Sequence, residues 1–110
     1  MRNWLKLAAL AGVLAAGTAQ AQDIKPAVIF DMGGKFDKSF NEAAYNGAEK
    51  FKAETGIPYL EFEVTNESQR DQALRRMAQR ADVIVAVGFA FSTPLEKIAA
   101  EFPDKKFVII

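Results

Sequence analysis

The side chains best suited to chemistry lie in the segment 31–41, between an apolar run and a helical pattern. Asp31 directly follows the apolar run, so its carboxylate could accept hydrogen bonds from a ligand or cap its own loop. A second acid, Asp37, could pair with Asp31 for acid-base work, but nothing in the spacing fixes their separation. Lys35 and Lys38 in the same segment disfavour a metal between the two carboxylates. We therefore predict no catalytic residue and no metal ligand here.

The composition removes most other reaction chemistries. The 110 residues contain no His and no Cys, so triads, imidazole bases, Cys nucleophiles, Cys/His zinc sites and disulfides have no residues to form them. The G-x-S-x-G turn of α/β hydrolases is also absent. The 14 basic and 14 acidic residues balance without a basic run, which argues against a nucleic-acid partner. Carboxylates, Lys, Tyr, Ser and Thr remain for proton chemistry. The composition alone indicates a soluble globular protein; the absence of Cys and His fits a binder that needs no cofactor and is not an enzyme.

Glycines and aromatic residues in two loops offer a binding surface. The Gly-Gly pair at 33–34 resembles a phosphate cradle, but its surroundings match neither the dinucleotide fingerprint nor the P-loop. Phe40 and Asn41 fall in the first turn of a predicted helix, where Phe can be a core residue or a platform for a flat ligand. Phe89 and Phe91, after a later strand, could form an apolar wall for such a ligand. The residues alone leave these alternatives open.

Four short apolar runs predict the strands that position these loops. They cover residues 26–31, 59–64, 83–87 and 107–110. Nearly continuous apolar runs are typical of a parallel sheet covered on both faces, whereas Glu61 and Glu63 alternate with apolar residues and mark the second strand as an edge. Strands alternating with helices predict an α/β fold with a doubly wound parallel sheet. In such sheets ligands bind beyond the carboxyl ends of the strands, where the strand order reverses.

Three segments between the strands have helical spacing. The first begins at a predicted capping box of Ser39 and Glu42 and stops at Gly56. The second spans about 68–80, and the third opens at Thr93, with Pro94 at its first helical position and a second capping box. Their apolar stripes are Phe40, Ala43, Ala44, Gly47 and Phe51; Ala73, Leu74, Met77 and Ala81; and Leu95, Ile98, Ala99 and Phe102. The predicted solvent face of the second helix carries Arg70, Arg75, Arg76 and Arg80.

Residues 1–21 have the three parts of a secretory signal peptide. A cationic start precedes an apolar run at 7–17, and an Ala-x-Ala sequence ends at Ala21. The apolar run is about half the roughly 20 residues that a membrane span needs. We predict cleavage after Ala21, which leaves 12 basic and 14 acidic residues in the exported part 22–110. Because no Cys follows the apolar run, we expect a periplasmic protein that is not lipid-anchored.

The string D-M-G-G-K-F-D-K-S-F-N at 31–41, followed by Ala44 and Gly47, resembles the opening motif of the basic membrane protein family. The V-G-F at 87–89 and the F-P-D-K-K-F at 102–107 are also similar to that family. Its members are substrate-binding proteins of ABC transporters and include bacterial purine nucleoside receptors. The resemblance extends over the whole predicted mature part.

This resemblance implies a type I periplasmic-binding-protein fold, in which two lobes close on a ligand. Residues 22–110 would supply the N-terminal part of the first lobe. In nucleoside-binding relatives the Phe matching Phe40 stacks on the purine, the Asn matching Asn41 bonds to the base, and the Asp matching Asp31 contacts polar ligand groups. A ring face, an amide and a carboxylate suit a neutral nucleoside.

The expected function is that of a monomeric periplasmic component of a bacterial ABC importer, with a permease in the inner membrane as its partner. A secreted sensing domain of the same fold, which signals to a membrane protein, is the alternative, and neighbouring genes would separate the two. The chain stops inside an apolar strand at 107–110, so we expect it to be an N-terminal fragment of a longer protein.

Overall fold

The structure is a computed structural model that describes residues 24–110; the predicted signal peptide, 1–21, lies outside the described residues. Four strands alternate with three helices. The strands are β1 (Pro26–Phe30), β2 (Leu60–Glu63), β3 (Val83–Ala86) and β4 (Lys106–Ile109). The helices are α1 (Phe40–Thr55), α2 (Arg70–Arg80) and α3 (Ser92–Glu101), and short 3₁₀ helices at Glu67–Gln69 and Phe89–Phe91 lead directly into α2 and α3.

The four strands form one parallel sheet in the order β2-β1-β3-β4. The chain runs from β1 outward to β2, then crosses back past β1 to β3 and continues to β4. The strand order therefore reverses between β1 and β3, as a doubly wound sheet requires. The predicted parallel α/β sheet and the edge position of β2 are both confirmed.

One face of the sheet, which we call the α2–α3 face, holds most of the core. Alternate residues of the central strands point to it, because side chains alternate along a strand. Ile29 and Ile84 are fully buried there against Leu74 of α2 and Ile98 of α3. The predicted interior of α2 is confirmed: its buried residues are Ala73, Leu74, Met77 and Ala78, and Ala81 follows them into the core.

The opposite face, which we call the α1 face, is covered only in part within the described residues. Val28, Phe30 and Val87 are buried there beside α1. Farther along the sheet, Val108 and Ile110 remain 42% and 51% exposed. An apolar groove of about 620 Å³ runs between α1 and the sheet, and the predicted apolar stripe of α1 forms its wall: Phe40, Ala43, Ala44, Gly47 and Phe51.

The predicted capping box at the start of α1 is wrong. The Ser39 side chain makes no capping hydrogen bond. Instead the carboxylate of Asp37 accepts hydrogen bonds from the backbone N–H groups of Ser39, Asn41 and Glu42, at 2.8, 3.3 and 3.1 Å. Lys38 turns through a left-handed conformation, with φ 61°, and this places Asp37 over the free N–H groups of the first turn.

The predicted start of α3 is also wrong. The 3₁₀ helix at Phe89–Phe91 passes directly into α3 at Ser92, so no side chain caps the helix at Thr93. Pro94 falls at the third helical position rather than the first, where its missing N–H is still among those without a helical partner. At the other end of α1, Gly56 adopts the left-handed conformation and donates to the Lys52 carbonyl at 2.8 Å, which confirms the predicted stop.

Candidate ligand site at the carboxyl edge of the sheet

Two loops meet at the point where the strand order reverses. One follows β1 and begins at Asp31; the other follows β3 and contains Gly88. A Cβ atom on Gly88 would lie 3.3 Å from a carboxylate oxygen of Asp31, and Gly88 has a φ of +109°. Both observations favour glycine, because a side chain at this φ is strained and a Cβ at this distance would force Asp31 to shift. The predicted pair of loops therefore comes together at Asp31.

The Asp31 carboxylate is paired with Arg70, the first residue of α2. Arg70 Nε lies 3.0 Å from Asp31 Oδ1, and Arg70 Nη2 lies 3.3 Å from Oδ2. The side chains are only 12% and 19% exposed. The guanidinium carbon also lies 5.9 Å from the ring centroid of Phe91, within cation–π range.

Sequence reasoning missed Arg70 and assigned it to the solvent face of α2. Periodicity places Arg70 outside the apolar stripe, which is correct, but it does not show what lies beyond the helix end. Topology supplies the missing signal. A helix that follows a parallel strand begins at the carboxyl edge of the sheet, so the first residue of α2 lies near the residue that ends β1.

Asn41 holds the backbone of Asp31. Its Oδ1 accepts the Asp31 N–H at 3.0 Å, and its Nδ2 donates to the Asp31 carbonyl at 3.1 Å. Asn41 is 3% exposed and is the buried polar residue of α1. The amide thus lies beneath the edge of the sheet and joins the start of α1 to the end of β1.

Phe40 lies at the surface rather than in the core. It is the first residue of α1 and is 66% exposed, with one side forming part of the apolar groove. Direct hydrogen bonds join Asn41 to Asp31, and Phe40 lies beside this pair because it precedes Asn41 in the chain. Phe89 and Phe91, considered above as an apolar wall, lie in different surroundings, because Phe89 is 83% exposed whereas Phe91 is completely buried in the core.

The loop after β1 is fastened to the edge strand β2. Lys35 Nζ contacts Glu61 Oε1 at 2.6 Å, and the Lys35 backbone N–H donates to Glu63 at 2.9 Å. The hydrogen bond to Glu61 raises the pKa of Lys35, so the amine stays charged. The ammonium also lies 5.4 Å from the Tyr45 ring centroid. These contacts hold the loop that begins at Asp31 against β2 and α1.

Within residues 24–110, no group of three or more acidic side chains is arranged to hold a metal ion. No helix in the same range is long and apolar enough to cross a membrane. What the carboxyl edge does present is a glycine turn, a paired carboxylate and an exposed aromatic ring. Ligand-binding α/β domains with a doubly wound sheet hold their ligands at this switch point, so these groups form the candidate site.

Comparison with known proteins identifies the family. Residues 24–110 match the Bmp family, described as ABC transporter substrate-binding protein PnrA-like. This chain belongs to the Bmp family of PnrA-like substrate-binding proteins, and the resemblance read from the D-x-G-G-x-x-D-K-S-F-N string is confirmed. The family is one of solute-binding proteins, not of enzymes.

Individual relatives agree with this assignment. An uncharacterized lipoprotein of Pyrococcus furiosus is 39% identical over 105 residues, which are 92% of this chain and 26% of that protein. Basic membrane protein A of Borreliella burgdorferi is 35% identical over 86 residues, 77% of this chain and 25% of that protein. A crystal structure of ABC transporter system solute-binding proteins from Aeropyrum pernix K1 is similar with a TM-score of 0.73 and 33% identity, over 78% of this chain and 24% of that one. The chain thus spans about a quarter of the length of these relatives.

Proposed function

We propose that this chain forms the N-terminal part of the first lobe of a solute-binding protein that delivers purine nucleosides to an ABC importer. Family membership and the quarter-length match to relatives support the lobe assignment. The partly covered α1 face also supports it, because the rest of a lobe would bury the apolar groove. The partners are a small ligand and a permease in the inner membrane.

The observation that carries the ligand proposal is the exposed ring of Phe40. Phe40 is two-thirds exposed at the carboxyl edge of a doubly wound sheet, where ligands bind in such folds. Phe36 and Phe89 are also largely exposed, at 64% and 83%, but Phe40 is the one that the family resemblance matches to a purine-stacking Phe. A flat purine is a ligand whose ring face matches it. The Asp31 carboxylate then offers its unused lone pairs to hydroxyl or amino donors of the same ligand.

Asn41 has a different role in this proposal from the one that the resemblance implied. Both polar atoms of its amide already bond to the Asp31 backbone. We therefore propose that Asn41 sets the position of Asp31 and of the neighbouring Phe40. Direct contact between the Asn41 amide and a base would have to use the second N–H or the second lone pair of a side chain that is only 3% exposed.

The experiment is titration calorimetry of the complete gene product with adenosine, guanosine, inosine, uridine, ribose and an amino acid. We expect binding of purine nucleosides. Phe40→Ala should weaken that binding by about 1–3 kcal/mol, the usual contribution of a base stacked on an aromatic ring. The matched control is Phe51→Ala, which removes the same ring from the same helix near its other end.

Two results would contradict the proposal. Binding of ribose or an amino acid with no binding of any nucleoside would exclude the ligand class. Equal affinities for the wild type and Phe40→Ala would exclude the stacking role and leave Phe40 as part of a packing surface.

We further propose export by residues 1–21 and a monomeric protein outside the cytoplasmic membrane. The expectation that the protein is not lipid-anchored has no support from its relatives, since the Pyrococcus protein is named a lipoprotein. The 110 residues contain no Cys to carry such a lipid. Cell fractionation with intact-mass measurement of the native protein decides the matter.

A further inference from the structure

We propose that Arg70 is a positioning residue that holds the Asp31 carboxylate and balances its charge, so that the site favours a neutral hydrogen-bond donor over a cationic ligand. This inference rests on the proposed function, since it concerns the selectivity of the same site. Its starting point is the bidentate Arg70–Asp31 pair at the edge where β1, β3 and α2 converge.

A second arginine on α2 shows what is special about this pair. Arg75 also forms a bidentate pair, with Glu101, at 2.9 and 2.7 Å. The side chains of Arg75 and Glu101 are 40% and 41% exposed, against 12% and 19% for those of Arg70 and Asp31. The same chemistry therefore occurs once at the surface between two helices and once, largely removed from water, at the ligand-binding edge.

Helix stability does not account for the position of Arg70. It lies in the first turn of α2, where the helix dipole disfavours a positive charge. A largely buried ion pair is also poor at stabilising a fold, because desolvation of both charges opposes their attraction. A role at the site explains why such a pair is placed here.

Asp31 is restrained from three directions. Asn41 holds its backbone N–H and carbonyl, Arg70 holds its carboxylate, and Gly88 lies so close to its side chain that a Cβ there would come within 3.3 Å of a carboxylate oxygen. A group fixed in this way loses little conformational freedom when a ligand arrives, which favours affinity. The carboxylate is thus prepared for a ligand that approaches in one orientation.

The remaining lone pairs determine what that ligand is. An ionised carboxylate has about four acceptor positions, and Arg70 occupies one on each oxygen. The others stay free for hydroxyl or amino donors. Because the guanidinium cancels the negative charge, a cationic ligand gains little attraction from Asp31, whereas a neutral donor keeps its hydrogen bond.

The test compares adenosine with 1-methyladenosine, which carries a positive charge at neutral pH, by calorimetry on the complete gene product. Arg70→Met should weaken adenosine binding by about tenfold to a hundredfold, the loss typical of a charge-assisted contact. It should weaken 1-methyladenosine binding less or strengthen it, so the ratio of the two affinities falls. Arg75→Met on the same helix is the matched control and should leave both affinities unchanged.

Two more variants separate charge balance from packing. Arg70→Lys keeps the charge but loses the bidentate geometry, so selectivity should return towards the wild-type ratio while affinity stays low. Asp31→Asn leaves the positive charge of Arg70 without its counter-charge. It should therefore raise the ratio of adenosine affinity to 1-methyladenosine affinity, whereas Arg70→Met should lower it. This reversal is expected even if Arg70→Met folds poorly, and urea denaturation of each variant reports its folding.

The outcomes distinguish the two proposals. A wild type that binds no purine nucleoside contradicts the proposed function, and this inference fails with it. A wild type that binds adenosine, with variants that weaken both ligands equally or change neither, overturns only the role of Arg70. In that case the pair is structural.

Discussion

The same strands form both faces of the sheet, but within the described residues the two faces are covered to different extents. On the α2–α3 face, Ile29, Ile84 and Leu74 have no exposed surface. On the α1 face, Val28 and Phe30 beside Ile29 are also buried, but Val85 is only half-buried and Val108 of β4 is exposed. The difference teaches that hydrophobic periodicity identifies which side chains turn towards a sheet, but not whether another element covers them.

The proposed ligand-binding edge lies where these two faces meet. Asn41 reaches Asp31 from α1 on one side, and Arg70 reaches it from α2 on the other. The site is therefore built jointly by the well-packed half of the described residues and by the open half. A ligand at this edge would be held by groups from both.

The largest loss of stability should come from a substitution on the α2–α3 face. Leu74→Ala removes a fully buried side chain and should lower the free energy of unfolding by about 2–5 kcal/mol. Val108→Ala on the α1 face should lower it by less than about 1 kcal/mol, because Val108 is already 42% exposed. Urea denaturation of the complete gene product measures both. Similar losses at the two positions would mean that the rest of the proposed lobe covers Val108 as well as the groove beside α1.

An intermediate effect should appear where the faces meet. Gly88→Ala forces a Cβ to 3.3 Å from the Asp31 carboxylate and requires a φ of +109°, so we expect a loss of about 1–3 kcal/mol. Gly47→Ala is the matched control inside α1. A Cβ at Gly47 meets no atom within 4 Å, and Ala is the better helix former, so this change should stabilise the protein by about 0.5–1 kcal/mol. Destabilisation by both substitutions would mean that the rest of the proposed lobe packs closely against α1 at Gly47.

The smallest effect should be the acid response at the start of α1. Burial alone would raise the pKa of Asp37, but hydrogen bonds from the backbone of Ser39, Glu42 and Asn41 outweigh it and lower the pKa. A lowered pKa means that the native state favours the carboxylate, so this contribution is present above the ordinary pKa near 4 and is lost as pH falls below it.

Asp37→Asn should therefore be less stable than the wild type at pH 6, and the difference should shrink as the pH falls towards 3. Urea denaturation across this range measures it, with Asp104→Asn in an exposed turn before β4 as the control. A difference that stays constant over the whole range would show that the charge of Asp37 does not contribute.

Much of the fold could be predicted because local pattern and topology agree. Apolar runs at 26–31 and 83–87 correspond to the central strands, and alternating Glu61 and Glu63 correspond to the edge strand. The meeting of two loops at Asp31 follows from the parallel arrangement, since the carboxyl ends of such strands share one edge.

The remaining features depend on contacts that sequence spacing does not encode. Asp37 replaces Ser39 as the cap because a left-handed residue between them redirects the loop. Phe91 enters the core because a 3₁₀ turn extends α3 backward, whereas its neighbour Phe89 stays at the surface. Arg70 pairs with a residue 39 positions earlier, a separation that only the folded sheet brings together.

The contacts of Lys35 with Glu61 and Glu63 also affect the edge of the sheet that β2 forms. The edge strand β2 carries Glu61 and Glu63, and both contact Lys35. Charged side chains on an edge strand oppose the addition of a strand from another copy. The opposite edge, β4, offers the apolar Val108 and Ile109 with 42% and 38% of their surface exposed. Within residues 24–110 the two edges of the sheet therefore differ: the edge that fastens the loop after β1 is charged, and the other is apolar.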